Sequence, residues 1–227
     1  MATTTPTQPL SRKASWIGGV ALLLIAVLAG YGYKGALEPL FTAGDAARTA
    51  AAIGGAESQF RVGVLCMVFA AVLDVVVAAT LRLLFKPVNR TLSATAAWFR
   101  VAYAAVFLVA IAQLATAPSL LGEPARALGA VESFQATWHV GLILFGVHLA
   151  LVGYLAVRSG YVSRVLGVLL VIAGAGYIAD AVGTVLVAGY TPTVASFTFV
   201  GEVVLIGWLL WHAARSARTT TGWWVAI

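Results

Sequence analysis

Six long apolar windows are the feature of this sequence that most limits its fold. They occur near residues 15–33, 60–84, 92–117, 134–157, 164–189 and 194–214. Crossing a hydrocarbon core of about 30 Å takes roughly 20 helical residues, which each window supplies. Backbone groups in lipid must bond within their own segment, and the windows are continuous instead of alternating, so helices are favoured over a β-barrel. The sequence therefore predicts an all-α integral membrane protein with six transmembrane helices.

The composition agrees with this fold class. Hydrophobic residues make up 61% of the chain and charged residues only 10%, more apolar surface than a soluble domain of this size needs. We predict a transmembrane domain over 15–216, between a cytoplasmic N-terminal tail, 1–14, and an interfacial cytoplasmic tail, 217–227. Cys66 is the single cysteine, which excludes an intramolecular disulfide and a thiolate metal cluster.

The Lys and Arg residues indicate the orientation of the helices. With a cytoplasmic N-terminus, the inner segments contain Arg12, Lys13, Arg82, Lys86, Arg90, Arg158, Arg164, Arg215 and Arg218. The outer segments contain Lys34, Arg48 and Arg126 with the acidic residues Glu38, Asp45, Glu57, Glu123 and Glu132. This bias predicts three in-out-in hairpins with both termini in the cytoplasm. The net charge of +6 then reflects topology, and no nucleic-acid partner is predicted.

Two segments before the second window need separate interpretation. A cleavable signal peptide is the alternative for residues 11–33, but the apolar stretch is long enough to span and no clear A-x-A site follows it. In the first outer loop, strong helix formers follow Asp45, whose side chain can cap a helix. We expect a short amphipathic helix on the outer surface there.

Several motifs, in order along the chain, give it a family resemblance. They are Gly44-Asp45-Ala46-Ala47, Glu57-Ser58-x-Phe60-Arg61-x-Gly63, Lys86-Pro87-Val88-Asn89-Arg90, Tyr154 through Arg158-Ser159-Gly160, Arg164-Val165-Leu166-Gly167-Val168-Leu169-Leu170, Gly174-x-Gly176-Tyr177-x-x-Asp180 and Gly201-Glu202. In these positions the chain resembles the bacterial membrane family called domain of unknown function 4386. The resemblance implies a fold class and a bacterial origin, hence the inner membrane, and it implies no activity.

Polar residues inside the predicted helices form two layers. Using 1.5 Å of rise per residue, Asp74, Arg100 and His148 all lie near the membrane midplane. Asp74 and Arg100 are on consecutive helices joined by a short loop, so we predict a structural ion pair between them.

The second layer, in the outer half, contains Arg61, His139, Asp180 and Glu202. An ionised carboxylate within a membrane helix is costly, so Asp180 needs a partner, a cavity or a function. Gly176 and Gly183 share its helix face and allow another helix to approach. We therefore predict a polar pocket formed by this layer, in which the two acids share a proton beside Arg61.

This pocket favours a membrane protein that binds or translocates a small solute or protons. A noncatalytic subunit or accessory protein with structural charges is the alternative. An intramembrane metalloenzyme using His139, Asp180 and Glu202 is a second alternative, although no metal-ligand spacing is present. No catalytic residue, metal or cofactor is predicted, and an enzyme is not favoured. The expected partners are the lipid bilayer and a small-molecule ligand, with a homo-oligomer or a membrane complex left open.

Overall fold

The computed structural model describes residues 12–218, with side chains up to Arg215. The predicted tails, 1–14 and 217–227, lie almost entirely outside these residues. Every regular element within the described range is helical, and the α-helices are α1 (Arg12–Ala29), α2 (Ala46–Gly55), α3 (Glu57–Phe85), α4 (Arg90–Leu114), α5 (Pro124–Ser159), α6 (Arg164–Leu186), α7 (Val194–Thr198) and α8 (Val200–Arg218).

Six helical segments in the described part of the chain are long and apolar enough to cross a membrane. They are Arg12–Leu40, Glu57–Phe85, Arg90–Leu120, Pro124–Ser159, Arg164–Leu186 and Val194–Arg215. The predicted all-helical fold, with six segments able to span a membrane, is therefore confirmed. The arrangement as three in-out-in hairpins and the cytoplasmic placement of both termini stay predictions.

The long helices close into a ring. Each packs on the next one along the chain, α1 on α3, then α4, α5, α6 and α8, and α8 packs back on α1. Side chains that point inward from non-adjacent helices therefore meet inside the ring. We use the name basic end for the end formed by the start of α1, the α3–α4 turn, the α5–α6 turn and the last turns of α8.

The short helix predicted in the first outer loop is α2. Asp45 precedes it, and its carboxylate accepts a hydrogen bond of 2.9 Å from the Arg48 backbone N–H. One face, with Thr49, Ala50 and Ile53, is buried because α2 packs on α5. A side-chain cap and one apolar face thus produce this helix.

Beyond Ala29 the first span continues as a π-helix over Gly30–Leu37. The wider turn leaves backbone carbonyls without their usual partners, and the Gln59 side chain donates 3.1 Å to that of Ala36. Tyr33, within this segment, reaches across the ring, where its hydroxyl accepts a 3.3 Å hydrogen bond from Gln135 on α5. The π-helix thereby contributes an aromatic side chain to the interior.

The last span differs from the single helix predicted over 194–214, because it is interrupted at Phe199. The Thr198 hydroxyl bonds back to the Val194 carbonyl at 3.3 Å, a pattern that bends helices. Thr198 also packs against Gly176, where even a methyl group would clash with its hydroxyl. Gly176 thus permits the close approach of a helix that the sequence predicted, whereas Gly183 makes room for the ring of Tyr190 in the preceding loop.

Glycines bring the backbones of α5 and α6 into contact at two levels. A Cβ on Gly146 would lie 2.6 Å from the Gly174 carbonyl oxygen, and one on Gly153 would lie 2.6 Å from that of Gly167. The glycines are seven residues apart on both helices, so the contact repeats along one straight seam. Close backbone approach of this kind drives helix association in lipid.

Replacing Gly146 by Ala should therefore destabilise the protein, by about 1–3 kcal/mol, because the methyl group meets a fixed backbone oxygen. Gly129→Ala, in the same helix, is the matched control, since nothing lies within 4 Å of its Cβ position. That control should be neutral or slightly stabilising through helix propensity. Unfolding in detergent measures both variants, and equal stability of the two would contradict the seam.

Candidate functional site: a charged and aromatic cluster inside the ring

Asp74 on α3 and Arg100 on α4 form an ion pair inside the ring. The Arg100 Nε donates 2.9 Å to the Asp74 Oδ1, and one terminal guanidinium nitrogen donates to the same oxygen. Their side chains are only 5% and 3% exposed, respectively. The structure thus makes the contact that the sequence predicted for this pair.

His148 on α5 completes this group. Its Nδ1 lies 2.8 Å from the Ala96 carbonyl oxygen, and its Nε2 lies 3.2 Å from an Arg100 guanidinium nitrogen. A carbonyl can only accept and a guanidinium can only donate. The Nδ1 must therefore carry the proton and Nε2 must accept, so His148 is a neutral imidazole. The group carries one positive and one negative charge, with all three side chains buried.

One aromatic ring packs against the guanidinium, and two further rings pack on that one. Arg100 lies over the face of Phe145, 5.1 Å from the ring centroid. The same ring packs on Tyr103 at 5.0 Å and, edge to face, on Tyr177 at 5.1 Å. Phe145 therefore connects the buried charges to Tyr177 on α6. The charge and the ring stabilise one another because an aromatic face is negative.

Glu202, in the first turn of α8, lies on the other side of Tyr177. The Tyr177 hydroxyl donates a 2.9 Å hydrogen bond to its Oε1, and the Glu202 side chain is half-buried. Tyr177 in turn packs on Phe145, which lies against the Arg100 guanidinium. Glu202, predicted as a pocket residue, thus belongs to one cluster with the deeper ion pair.

Asp180 on α6 is placed differently from the predicted pocket. Its Oδ1 accepts from the Tyr190 hydroxyl at 2.7 Å and from the backbone N–H groups of Thr193 and Val194 at 3.2 Å, while Oδ2 accepts from Ala195 N–H at 2.8 Å. These amides belong to the start of α7. Asp180 therefore caps that helix and holds the preceding loop, which accounts for a buried carboxylate at this position.

Neither of the other two predicted pocket residues is hydrogen-bonded to these acids in the described part of the chain. The Arg61 guanidinium bonds to Glu57, one turn earlier on α3, and its side chain is 67% exposed. The structure therefore does not bring Arg61 to Asp180 or Glu202, because a carboxylate on its own helix is nearer. His139 is half-buried, stacks on the neighbouring Trp138, and has Asp180 as its electrostatic neighbour.

Further aromatic side chains fill the interior of the helix ring on both sides of the charged cluster. At the end opposite the basic end, Tyr33 packs edge to face on Trp138 at 5.0 Å, and the Trp138 indole donates 3.0 Å to the Tyr103 hydroxyl. At the basic end, Tyr161 from the α5–α6 turn stacks on Phe85 and donates 2.7 Å to the Leu84 carbonyl.

A groove too narrow to admit a water molecule lies between α3, α4 and α5, with Arg82, Ser93 and His148 in its wall. None of the predicted pocket residues lines it. Among the described side chains, no group of three or more His, Cys, Asp or Glu is arranged to hold a metal ion. The metal-site alternative, built on His139, Asp180 and Glu202, therefore has no geometric support in that part of the chain.

Sequence reasoning placed His148 at the right depth but did not assign it a partner, and it missed Phe145, Tyr177 and Tyr190. One pattern in the sequence does indicate that Phe145 and His148 face the interior. Phe134, Trp138, Phe145 and His148 recur at helical spacing along one face of α5, and such an aromatic stripe indicates the inward side.

Removing one member of the buried pair should destabilise the protein more than removing both. Asp74→Leu leaves a buried guanidinium without its carboxylate, which costs about 3–5 kcal/mol. The double variant Asp74→Leu/Arg100→Met should recover most of this loss, since it removes both charges. Equilibrium unfolding in detergent measures wild type, Asp74→Leu, Arg100→Met and the double variant. If the loss of stability in the double variant equals the sum of the losses in the two single variants, the two side chains act independently.

Asp180→Asn should loosen the segment that Asp180 holds. The asparagine amide places an NH₂ donor against backbone N–H donors, so we expect a loss of about 1–3 kcal/mol and faster hydrogen exchange over 187–198. Asp45→Asn is the matched control, because Asp45 accepts through one carboxylate oxygen, which an asparagine amide keeps, whereas Asp180 uses both oxygens. Unchanged exchange in Asp180→Asn would contradict the capping role.

The bond between Tyr190 and Asp180 also predicts a pH dependence. This hydrogen bond raises the pKa of the Tyr190 phenol. Because the folded-state pKa is the higher one, the bond stabilises the loop below the ordinary tyrosine value of about 10 and is lost as pH rises through the raised value. In Asp180→Asn, Tyr190 should ionise at lower pH than in wild type, which a difference absorbance titration detects.

Comparisons with other proteins give the chain a family but no activity. An uncharacterised protein of Archaeoglobus fulgidus is 34% identical over 139 residues, which cover 61% of this chain and 76% of that protein. No solved structure matches the chain. The family described as "Domain of unknown function (DUF4386)" matches residues 17–213. The resemblance seen in the sequence motifs is therefore confirmed, and the chain belongs to the DUF4386 family.

Proposed function

We propose that this membrane protein takes up and releases a proton at Glu202, and that Tyr177 and Phe145 connect this event to the buried Asp74–Arg100 pair. One contrast supports the proposal. Asp74 has the Arg100 guanidinium and Asp180 has four hydrogen-bond donors, whereas the described bond of Glu202 comes from a neutral phenol.

Some features around Glu202 favour its charged form and others favour its neutral form, as a proton-exchanging carboxyl requires. The Tyr177 hydroxyl and the first turn of α8 favour the carboxylate. Its position in a membrane-spanning helix, with no cation within ion-pair distance among the described residues, favours the neutral acid. A group balanced in this way changes its charge with a small change in its environment.

A proton at Glu202 would change contacts on several helices. The neutral acid no longer needs a donor, so the Tyr177 hydroxyl can turn away, and Tyr177 packs directly on Phe145. Phe145 in turn holds the Arg100 guanidinium. Protonation on α8 is thereby transmitted through α6 and α5 to α4.

A small solute is the second candidate, as the sequence predicted for the outer half. The aromatic rings of Tyr177, Phe145 and Tyr103 next to the Glu202 carboxylate favour a cationic one, because ring faces and a carboxylate together attract organic cations. Such a solute and a proton would compete for Glu202. Tetramethylammonium is a suitable probe of this competition.

Infrared spectroscopy of the protein in nanodiscs tests the proposal directly. As the pH is lowered, wild type should show a carboxylic acid C=O band at the higher frequency typical of a carboxyl shielded from water, which separates it from the exposed carboxyls, and Glu202→Gln should lack it. Glu132→Gln, which removes an exposed carboxyl on α5, is the control and should keep the band. Tyr177→Phe should keep the amplitude and move the midpoint, since it removes the hydrogen bond to the ionised form.

A band that persists in Glu202→Gln would assign the proton to another group. If wild type shows no titrating band, the intramembrane charges are structural, as in the accessory-protein alternative. Loss of the band on addition of tetramethylammonium at constant pH would instead support the cationic solute.

A further inference from the structure

The basic end carries exposed cations and no acid in the described part of the chain. Each of its Lys and Arg side chains up to Arg215 is exposed. They are Arg12, Lys13, Arg82, Lys86, Arg90, Arg158, Arg164 and Arg215. Five of the acidic residues lie near the opposite end, Glu38, Asp45, Glu57, Glu123 and Glu132, and the other three are the intramembrane acids Asp74, Asp180 and Glu202.

The two ends also differ in how their cations are paired. At the opposite end, Lys34 bonds to Glu38 at 2.7 Å, Arg61 to Glu57, and Arg126 to Glu123 at 2.7 Å. Among the residues that the structure describes, the basic end has no such ion pair. Its positive charge is therefore available to a partner outside the chain.

The charge is densest at the α3–α4 turn. Arg82 and Lys86 are one helical turn apart, on the same side of the end of α3, and Arg90 begins α4 after the Asn89 cap. The first turn of α4 contains no acidic residue, so nothing there neutralises the positive end of its dipole. Together, these cations and the start of α4 form a surface that attracts anions. This surface lies at the membrane boundary, beside the helices that span the membrane.

We infer that the α3–α4 turn of the basic end binds the phosphate headgroups of anionic phospholipids. The apolar helices place this turn where the hydrocarbon core ends, so lipid headgroups are its nearest neighbours outside the protein. Guanidinium groups match phosphate oxygens with paired hydrogen bonds, and lysine adds a mobile point charge. Clusters of basic residues directly beside a membrane-spanning helix favour anionic over zwitterionic lipid.

The test uses the full-length protein in nanodiscs of phosphatidylcholine alone and of phosphatidylcholine mixed with phosphatidylglycerol. Native mass spectrometry after release counts the retained lipids, and thermal unfolding reports their effect on the protein. Wild type should retain phosphatidylglycerol preferentially. In Arg82→Gln/Lys86→Gln/Arg90→Gln this preference for phosphatidylglycerol should fall by at least about tenfold, since each cation near an anionic surface raises the affinity roughly fivefold.

The matched control is Lys34→Gln/Arg48→Gln/Arg126→Gln, which removes the same charge from the opposite end and should leave the preference unchanged. Equal loss in both triple variants would mean that only net charge matters and would overturn the assigned site. A further arm adds inorganic phosphate to protein in phosphatidylcholine alone. If phosphate stabilises wild type as strongly as phosphatidylglycerol does, the site recognises the free ion and the lipid assignment is wrong.

Discussion

The Arg100 guanidinium is the charge around which the interior is organised. A permanent cation in a membrane-spanning helix must be matched from several sides, because lipid offers it nothing. Asp74 supplies the opposite charge, His148 supplies a lone pair, and Phe145 supplies the negative face of its ring. These partners come from α3 and α5, so satisfying one side chain of α4 fixes the relative positions of all three helices. Tyr177 and Glu202 extend the same group to α6 and α8. The polar cluster is therefore also the main constraint on how the helices pack around the ring that they form.

Close backbone packing holds the helices together around this cluster, although no hydrophobic effect acts between helices in lipid. In lipid, apolar side chains gain little from leaving their surroundings, so helix association depends on van der Waals contact and on polar bonds. The glycine seam between α5 and α6 brings Phe145 into contact with Tyr177. On α1, two adjacent glycines act on different neighbours: a Cβ on Gly18 would lie 2.8 Å from the Thr80 hydroxyl, and one on Gly19 would lie 2.8 Å from Leu210. The ring closes because α1 can approach both α3 and α8.

The sequence predicts the features that depend on one residue type or on distance along a helix. Long apolar windows predicted the spans, Asp45 predicted the start of α2, and equal depths predicted the Asp74–Arg100 contact. Depth alone does not give the direction of a side chain around a helix, so Arg61, at the same depth as the two acids, was expected to join them and instead pairs with Glu57. The role of Asp180 was also hidden, since its partners are backbone amides of a short helix that the continuous apolar pattern of 194–214 did not reveal.

The depth at which α7 begins determines where the chain enters the helix ring again. Asp180 lies six residues before the end of α6, and because it caps α7, the last span starts about 9 Å below that end. The backbone of 187–193 therefore lies in a recess below the end of α6. A non-helical segment at this depth is tolerated only where its polar backbone groups find partners in the protein or in water. The hydrogen bonds from Thr193, Val194 and Ala195 to Asp180 thus allow the chain to enter the helix ring again at this level.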